Sequence, residues 1–432
     1  MKAGFLSRVR IKQAPFLSVI FIAAIIAFPR TFIELKLILL ALIYIHFTAW
    51  AQKGAIPLSK PILGFYVAFI VVGLLGALVG TARGNPEQAI SDGLRLYLLW
   101  SILIMSLLTY VRRFNAPLII HYGVILAAFI ISFVNIVLVV TAYRGQSVYP
   151  EWFVEAMLLR VGFHEGYVQI VSHNIGMLLF VVPYLLVTVL RTDGRPERRE
   201  LVWLALVACV ITALLSGRRA LWLILALTPY LMWAMSIATG TVRRVKYYPV
   251  FATVAVAGLV VALVAPLVLL KAETLEYLAR SFSAEDERTI QRQFLIDGFS
   301  NLPLFGSGFG GFAGYTRNLD RPWLYELSYH QMLFNFGLVG TAILGLALAN
   351  TFLQAVSVIK ARPTPMTAGA VAIMSGVTGI LIGAYSNPYL GSFDFLVIIG
   401  FLPLIASSAV PIARKSEFPS LGRSGQRPME RA

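Results

Sequence analysis

The feature that most constrains this chain is a series of long apolar runs that recurs along almost its whole length. A helix needs about 20 apolar residues to cross the roughly 30 Å hydrocarbon core of a bilayer. Runs of this kind lie near 13–29, 32–50, 62–80, 94–111, 116–142, 167–190, 201–217, 221–240, 248–270, 329–358, 366–386 and 393–412. The pattern predicts an all-α polytopic membrane protein with about 12 transmembrane helices.

Composition excludes an ordinary water-soluble fold. Of the 432 residues, 58% are hydrophobic and only 13% are charged, whereas soluble domains carry about 25% charged residues. The net charge of +16 comes from short basic clusters between the apolar runs, so we expect no nucleic-acid partner. The single cysteine, Cys209, excludes both an intramolecular disulfide and a cysteine-based metal site.

The basic clusters fall in every second connection between the runs. They contain Lys53 and Lys60, Arg112 and Arg113, Arg191 to Arg199, Arg243 to Lys246, Lys360 and Arg362, and the arginines of the tail. By the positive-inside rule these connections are cytoplasmic, which predicts cytoplasmic termini. The expected organisation is helices 1–9 in 1–270, a large outer loop in 271–328, helices 10–12 in 329–412 and a disordered cytoplasmic tail in 413–432.

Two adjacent arginines, Arg218 and Arg219, begin one apolar run on the outer side, against the orientation rule. A guanidinium at membrane depth costs roughly 2.5–3.5 kcal/mol on insertion scales. Two interpretations stay open. The side chains extend to headgroup phosphates, or they form a fixed cation site for a phosphorylated lipid substrate.

The outer loop contains a second basic pair on a predicted helix. Ser283 and the acids after it are typical of a helix start. Apolar residues at helical spacing predict that this helix packs on the membrane surface: Ile290, Phe294, Leu295 and Phe299. Arg288 and Arg292 are four residues apart and share a face. They either bind substrate or pair with Glu285 and neighbouring acids.

The glycine-rich segment 302–311 follows this helix. Such a loop can offer backbone N–H groups to phosphate. No lysine follows it as in a nucleotide-binding loop, and it is predicted to lie on the outer side, where ATP is absent. A tight, closely packed turn is the preferred prediction.

Titratable residues accompany the return of the outer loop to the membrane. Glu326, Tyr329 and His330 are close in sequence, and one helical turn would separate Glu326 from His330 if the helix included both. Glu326 or His330 could remove a proton from a sugar hydroxyl. Alternatively, Glu326 pairs with an outer arginine and His330 is an interface residue. His173 and Asn174 begin another run, and the histidine spacing matches no standard zinc motif.

In this order, these segments resemble the O-antigen ligase and O-antigen/exopolysaccharide polymerase superfamily. The matching pieces are His173-Asn174, Ser216 to Ala220, Arg288 ahead of Pro303 to Gly310, Glu326 to Tyr329 ahead of Phe336 to Gly340, and Asn387 to Leu390. The resemblance covers roughly 165–405. It implies a glycosyltransferase-C-like fold in the bacterial inner membrane, with the active site facing the periplasm.

The resemblance also implies the chemistry. Such proteins are inverting glycosyltransferases that use undecaprenyl-diphosphate-linked glycans and need no metal, cofactor or nucleotide sugar. It assigns Arg218 or Arg219, together with Arg288 and Arg292, to the diphosphate, and Glu326 or His330 to proton removal. His173, Asn174 and Tyr329 become further substrate contacts. The expected partners are the lipid-linked glycan, membrane lipid, a chain-length regulator and other polysaccharide assembly proteins.

One departure separates the two branches of this superfamily. Ligases that transfer glycan to lipid A-core have a histidine about eleven residues before the glycine that here is Gly337, where this chain has Glu326. Glutamate favours the polymerase branch over the ligase branch. A transporter or flippase and a non-catalytic scaffold are the alternatives from other classes. Clustering of the unusual charges on one predicted side favours one-sided chemistry over transport.

Overall fold

A computed structural model describes residues 2–51, 58–145, 147–164, 167–191, 198–241, 287–361 and 367–407, and it is mostly helical. The helices of the first part are α1 (Lys2–Ala27), α2 (Ile33–Ala51), α3 (Lys60–Ala82), α4 (Glu87–Leu94), α5 (Ser101–Val111), α6 (Ala116–Tyr143), α7 (Glu151–Met157), α8 (Leu178–Leu190), α9 (Arg199–Leu215) and α10 (Arg219–Ala238). Those of the second part are α11 (Glu287–Asn301), α12 (Ser328–Ala361), α13 (Thr367–Gly383), α14 (Phe393–Ile399) and α15 (Phe401–Ser407). A π-helical turn, Arg95–Trp100, joins α4 to α5.

Five helical segments among the described residues are long and apolar enough to cross a membrane. They are Lys60–Ala82, Glu87–Val111, Ala116–Tyr143, Arg219–Ala238 and Ser328–Ala361. Shorter apolar helices cover Pro15–Ala27, Ile175–Leu190, Thr367–Gly383 and Phe393–Ser407. These segments agree with the prediction of a helical membrane protein. The predicted run 248–270 and the tail 413–432 lie outside the described residues.

The prediction of a helix throughout 167–190 is wrong at its beginning. Tyr167–Val171 is a β-strand, β2, that pairs antiparallel with β1 (Arg160–His164), and α8 begins only at Leu178 after a 3₁₀ turn. The segment Tyr-Val-Gln-Ile-Val is rich in β-branched and aromatic residues, which suit a strand when a partner is near. That partner lies in the preceding connection, so hydropathy alone did not reveal it.

The core is centred on α8, which packs most extensively against α13. Nearly every side chain of α8 is buried. Gly376 and Gly379 of α13 permit this close approach, because a Cβ at Gly376 would lie 2.6 Å from the Phe180 ring and one at Gly379 would overlap the carbonyl of Leu179. Small residues at such contacts are typical of helix pairs in membranes.

The glycine-rich segment 302–311 is a closely packed turn, as predicted, and it fits into a break in α12. The break is at Gly337, whose φ of 63° lies in the left-handed region. Beyond it, the N–H of Leu338 donates to the carbonyl of Pro303 at 2.8 Å instead of continuing the helical pattern. In return, the N–H of Ser307 donates to the carbonyl of Phe334 at 2.8 Å. The turn therefore satisfies helix ends that would otherwise lack partners.

Several connections that the charge pattern predicts to be outer meet at one end of the helices. The Arg30 Nη2 atom, between α1 and α2, donates to the carbonyl of Pro388 at 2.6 Å. Asn85, between α3 and α4, donates to the carbonyl of Ser307 in the glycine-rich turn at 2.9 Å. The connections that the charge pattern assigns to one side of the membrane are therefore also in contact with one another in the structure.

Candidate functional site

Arg30 is fixed at the meeting point of these connections. Its φ is 64°, an uncommon conformation for a residue with a side chain. The backbone N–H donates to Asp394 Oδ2 at 2.7 Å, while the guanidinium donates to the carbonyl of Pro388. These two bonds tie the short connection between α1 and α2 to the segment that leads into α14.

Tyr389 lies near three guanidinium groups. Arg218, at the start of α10, Arg30 and Arg288 are all close enough to act electrostatically on its hydroxyl. Burial raises the pKa of Tyr389, and the three cations oppose that rise. The ring packs against Gly176, where a Cβ would lie 2.7 Å away. We call Arg30, Arg218, Arg288 and Tyr389 the Tyr389 cluster.

Arg218 has unused hydrogen-bonding capacity in this cluster. Its Nε atom is buried and has no hydrogen-bond partner among the described residues. A buried donor without a partner carries a free-energy cost of about 1–3 kcal/mol, more for a charged group. An anion with several oxygen atoms would satisfy it. Arg219 is exposed one position further along α10, so Arg218 is the member of the pair that contacts the cluster.

Glu326 is held between two arginines. Arg288 Nε lies 2.9 Å from Glu326 Oε2, and Arg317 Nη2 lies 2.5 Å from Glu326 Oε1. Its backbone N–H donates to the Gln291 side chain at 2.9 Å. Glu326 therefore pairs with arginines of the loop that the charge pattern predicts to be outer, as the second of the two interpretations expects. The carboxylate also links the Tyr389 cluster, through Arg288, to the loop that carries Arg317.

Glu326 and His330 do not share a helix, because α12 begins at Ser328. The Ser328 hydroxyl donates to the carbonyl of Asn387 at 2.7 Å, which joins this helix start to the segment that leads to Tyr389. The His330 ring lies 6.1 Å from the ring of Tyr385, edge to face. Its Nδ1 atom is buried without a hydrogen-bond partner among the described residues.

The remaining predicted residues are placed around this arrangement. Tyr329 donates its hydroxyl to the carbonyl of Leu381 at 2.5 Å, which joins α12 to α13. Arg292 is exposed on α11 and is near enough to His330 for its charge to act on the imidazole ring. Arg288 and Arg292 therefore face different partners. The predicted start of this helix at Ser283 lies outside the described residues.

His173 and Asn174 occupy two different environments. His173 is half-buried; partial burial lowers its pKa, and the nearby charge of Arg30 lowers it further. Asn174 is fully buried, and its Oδ1 accepts hydrogen bonds from Asn135 at 2.9 Å and Ser172 at 2.8 Å. These bonds join the start of α8 to α6. His173 thus adjoins the Tyr389 cluster, whereas Asn174 belongs to a polar network in the core.

The predicted surface helix is α11. Leu295 is buried against Tyr325, Leu327 and Phe334, while Ile290 and other apolar residues of α11 are more exposed. The helix is thus fixed to the start of α12 and to the loop before it by one apolar contact region. That contact positions Arg288 beside Glu326.

Sequence reasoning missed a buried ion pair next to Arg30. Lys36 Nζ lies 2.6 Å from Asp394 Oδ1, and the two side chains are 1% and 0% exposed. Lys36 also donates to the carbonyl of Phe28 at 2.6 Å. The sequence signal was a basic residue, Lys36, in one apolar run and an acidic residue, Asp394, in another. A buried charge in such a segment is normally paired. The pairing itself joins residues far apart in sequence.

A cavity of about 1020 Å³ adjoins the Tyr389 cluster. It lies between the π-helical turn, the loop that carries Arg317 and Arg321, and the segment from Pro388 to Asp394. Arg30 lines it as well as belonging to the cluster. No group of three histidine, cysteine, aspartate or glutamate side chains suited to a metal ion occurs in the part of the chain that the structure describes.

Comparison with known proteins adds no relative: no protein-family model matches the sequence, and no curated protein matches it significantly.

Proposed function

We propose that this protein polymerises undecaprenyl-diphosphate-linked polysaccharide repeat units at the periplasmic face of the bacterial inner membrane. The proposal includes about twelve spans, a glycosyltransferase-C-like fold and cytoplasmic termini, as the sequence resemblance and the alternating basic clusters imply. It makes the protein an inverting glycosyltransferase whose donor is a lipid-linked glycan.

One observation carries the proposal most strongly. Arg30, Arg218 and Arg288 come from three connections that the charge pattern predicts to be outer, and all three act on the Tyr389 hydroxyl. Glu326 already pairs with Arg288, whereas the guanidinium groups of Arg30 and Arg218 form no ion pair among the described residues, so an anion beside Tyr389 would complete the arrangement. A diphosphate offers several oxygen atoms that match the planar guanidinium group.

The chemistry follows from this arrangement. A hydroxyl of the acceptor glycan attacks the anomeric carbon of the donor, and the bond from that carbon to the diphosphate oxygen breaks with inversion. Undecaprenyl diphosphate leaves as an anion, and Arg218 and Arg288 stabilise the negative charge that develops on it. Transfer of the glycan from the diphosphate to a hydroxyl is favourable in free energy, so no nucleotide is needed.

Two groups are candidates for removing the proton of the attacking hydroxyl. Glu326 pairs with Arg288 and Arg317, and a carboxylate oxygen can accept further hydrogen bonds. His330 has a buried Nδ1 without a partner among the described residues. Glu326 and His330 are both candidate bases, and the Glu326→Gln substitution distinguishes them.

A ligase is the second candidate, since it would use the same donor and differ only in acceptor. Glycan from a deletion strain and from the complemented strain, compared on a gel, separates the possibilities. A single repeat attached to the final acceptor indicates a polymerase. Polymer left on undecaprenyl diphosphate indicates a ligase, and lipid-linked units retained in the cytoplasm indicate a flippase. A glycan profile unchanged by deletion would contradict all three.

A further inference from the structure

The cavity next to the Tyr389 cluster has features that the donor diphosphate does not require. Its volume of about 1020 Å³ is at the upper end for small-molecule sites, which are about 300–1,000 Å³. This is more space than a diphosphate needs. Its walls come from the π-helical turn, the 317–325 loop and the start of α14, so it extends away from Arg218, which does not line it.

The charged side chains that line this cavity are mainly cationic. Four arginines and two aspartates face it: Arg30, Arg95, Arg317, Arg321, Asp92 and Asp394. Asp394 is already neutralised by Lys36, which is buried behind it. Arg317 pairs with Glu326, which does not line the cavity, so Asp92 is the acid that faces Arg95 and Arg321.

Asp92 lies near Arg95 and Arg321 but forms no hydrogen bond with either guanidinium group. Arg95 Nη1 lies 3.6 Å from one carboxylate oxygen, and Arg321 Nη1 lies 3.9 Å from the other. Both distances exceed hydrogen-bond length. Neither guanidinium makes another ion pair among the described residues, and both are about half exposed. Arg95 and Arg321 can therefore turn toward a carboxylate or phosphate of a ligand without breaking a hydrogen bond to Asp92.

Aromatic rings provide apolar surfaces in the same cavity. Trp100 stacks on Phe393 with ring centroids 4.2 Å apart, which fixes it as a rigid platform. Trp323 lines the opposite loop and makes no ring contact among the described residues. The negative face of an aromatic ring attracts positively polarised C–H groups, which the faces of a sugar ring present.

We propose that this cavity binds an acidic segment of the glycan, in which sugar rings carry carboxylate or phosphate groups. Arg95 and Arg321 bind the acidic groups, and Trp100 and Trp323 contact the sugar faces. The choice of a saccharide rests on the proposed function; the preference for an acidic one rests on the cavity. Arg30, shared with the Tyr389 cluster, connects this site to the proposed site of transfer.

Binding of two trisaccharides to the purified full chain in detergent tests this proposal. Trigalacturonate carries carboxylates, and maltotriose is a neutral probe of similar size. We expect trigalacturonate to bind at least ten-fold more tightly, with affinity that falls as salt rises. Equal affinity for the two sugars would overturn the proposal.

A paired substitution, Arg95→Gln with Arg321→Gln, tests which residues are responsible. It should weaken trigalacturonate binding about ten-fold or more and leave maltotriose binding and thermal stability unchanged. Arg83→Gln is the matched control, because Arg83 is exposed at the end of α3 and does not line the cavity. Unchanged trigalacturonate binding in the paired variant would refute the assignment.

Farnesyl diphosphate separates this proposal from the proposed function. The paired variant should bind it as the parent protein does, whereas Arg218→Ala should not. If the paired variant lost farnesyl diphosphate and kept trigalacturonate, the cavity would be a lipid-diphosphate site and the proposal would fail. If the protein formed no polymer but still preferred trigalacturonate, only the proposed function would fail.

Discussion

Replacing Asp394 by asparagine should destabilise the protein strongly. The change leaves Lys36, which is 1% exposed, with the carbonyl of Phe28 at 2.6 Å and the Phe393 ring, whose centroid lies 5.0 Å from Nζ, as its remaining partners. Asparagine has one oxygen, so when it accepts the N–H of Arg30 its NH2 group faces the Lys36 ammonium, and the change removes both the negative charge and the acceptor for Lys36. Removing one member of a buried ion pair costs about 3–5 kcal/mol, and we expect a loss of unfolding free energy in that range.

A double-mutant cycle on the purified protein measures this coupling. Lys36→Met with Asp394→Asn should recover most of the loss, because no unpaired charge then remains buried. Unfolding in mixed detergent, followed by circular dichroism, gives the free energies. Asp297→Asn is the control: this residue is exposed on α11, and its loss should stay within about 0.5 kcal/mol. A loss below about 1 kcal/mol for Asp394→Asn, or strictly additive losses, would refute the reasoning.

Three further substitutions address other parts of the structure. Gly337→Ala should destabilise the protein by more than about 3 kcal/mol in the same assay, because φ is 63° and a Cβ would overlap the Leu304 carbonyl. Gly345→Ala is the control, since space is open there. An equally small loss for both variants would contradict the assignment of a break in α12 at Gly337. Glu326→Gln should lower turnover of purified enzyme 10²-fold or more if Glu326 is the base, and an unchanged rate would leave His330. The His173 pKa lies below its ordinary 6.5, so the unfolded chain binds more protons and stability should fall as pH drops below about 6.5. His173→Gln should reduce that fall in pH-dependent melting temperatures, and an identical profile would remove His173 as its source.

The apolar runs predicted helices well because hydropathy over twenty residues is a local property. Most described helices coincide with a predicted run. The strand Tyr167–Val171 was missed because its partner, Arg160–His164, lies in a connection that hydropathy does not describe. The start of α12 at Ser328 agrees with the predicted run from 329. The sequence left open whether the helix included Glu326, and the N–H of Glu326 bonds instead to Gln291 of α11.

The candidate site was only partly predictable. Arg218 and Arg288 stood out as cations against the orientation rule or on an outer helix. Arg30 and Tyr389 gain their importance from contacts between distant segments, such as the bond from Arg30 to Pro388, which spans 358 positions. A single sequence gives no information about such contacts. The family resemblance implied that Asn174 contacts substrate, yet its hydrogen bonds lie within the core.

The central claim is that the Tyr389 cluster holds a glycan-bearing diphosphate during transfer. The most direct test is a reaction of purified protein in proteoliposomes with an undecaprenyl-diphosphate-linked repeat unit. We expect longer lipid-linked glycans together with released undecaprenyl diphosphate, and neither product from Arg288→Ala, while Arg83→Ala remains active. Elongation at the parent rate by well-folded Arg288→Ala protein would contradict the account.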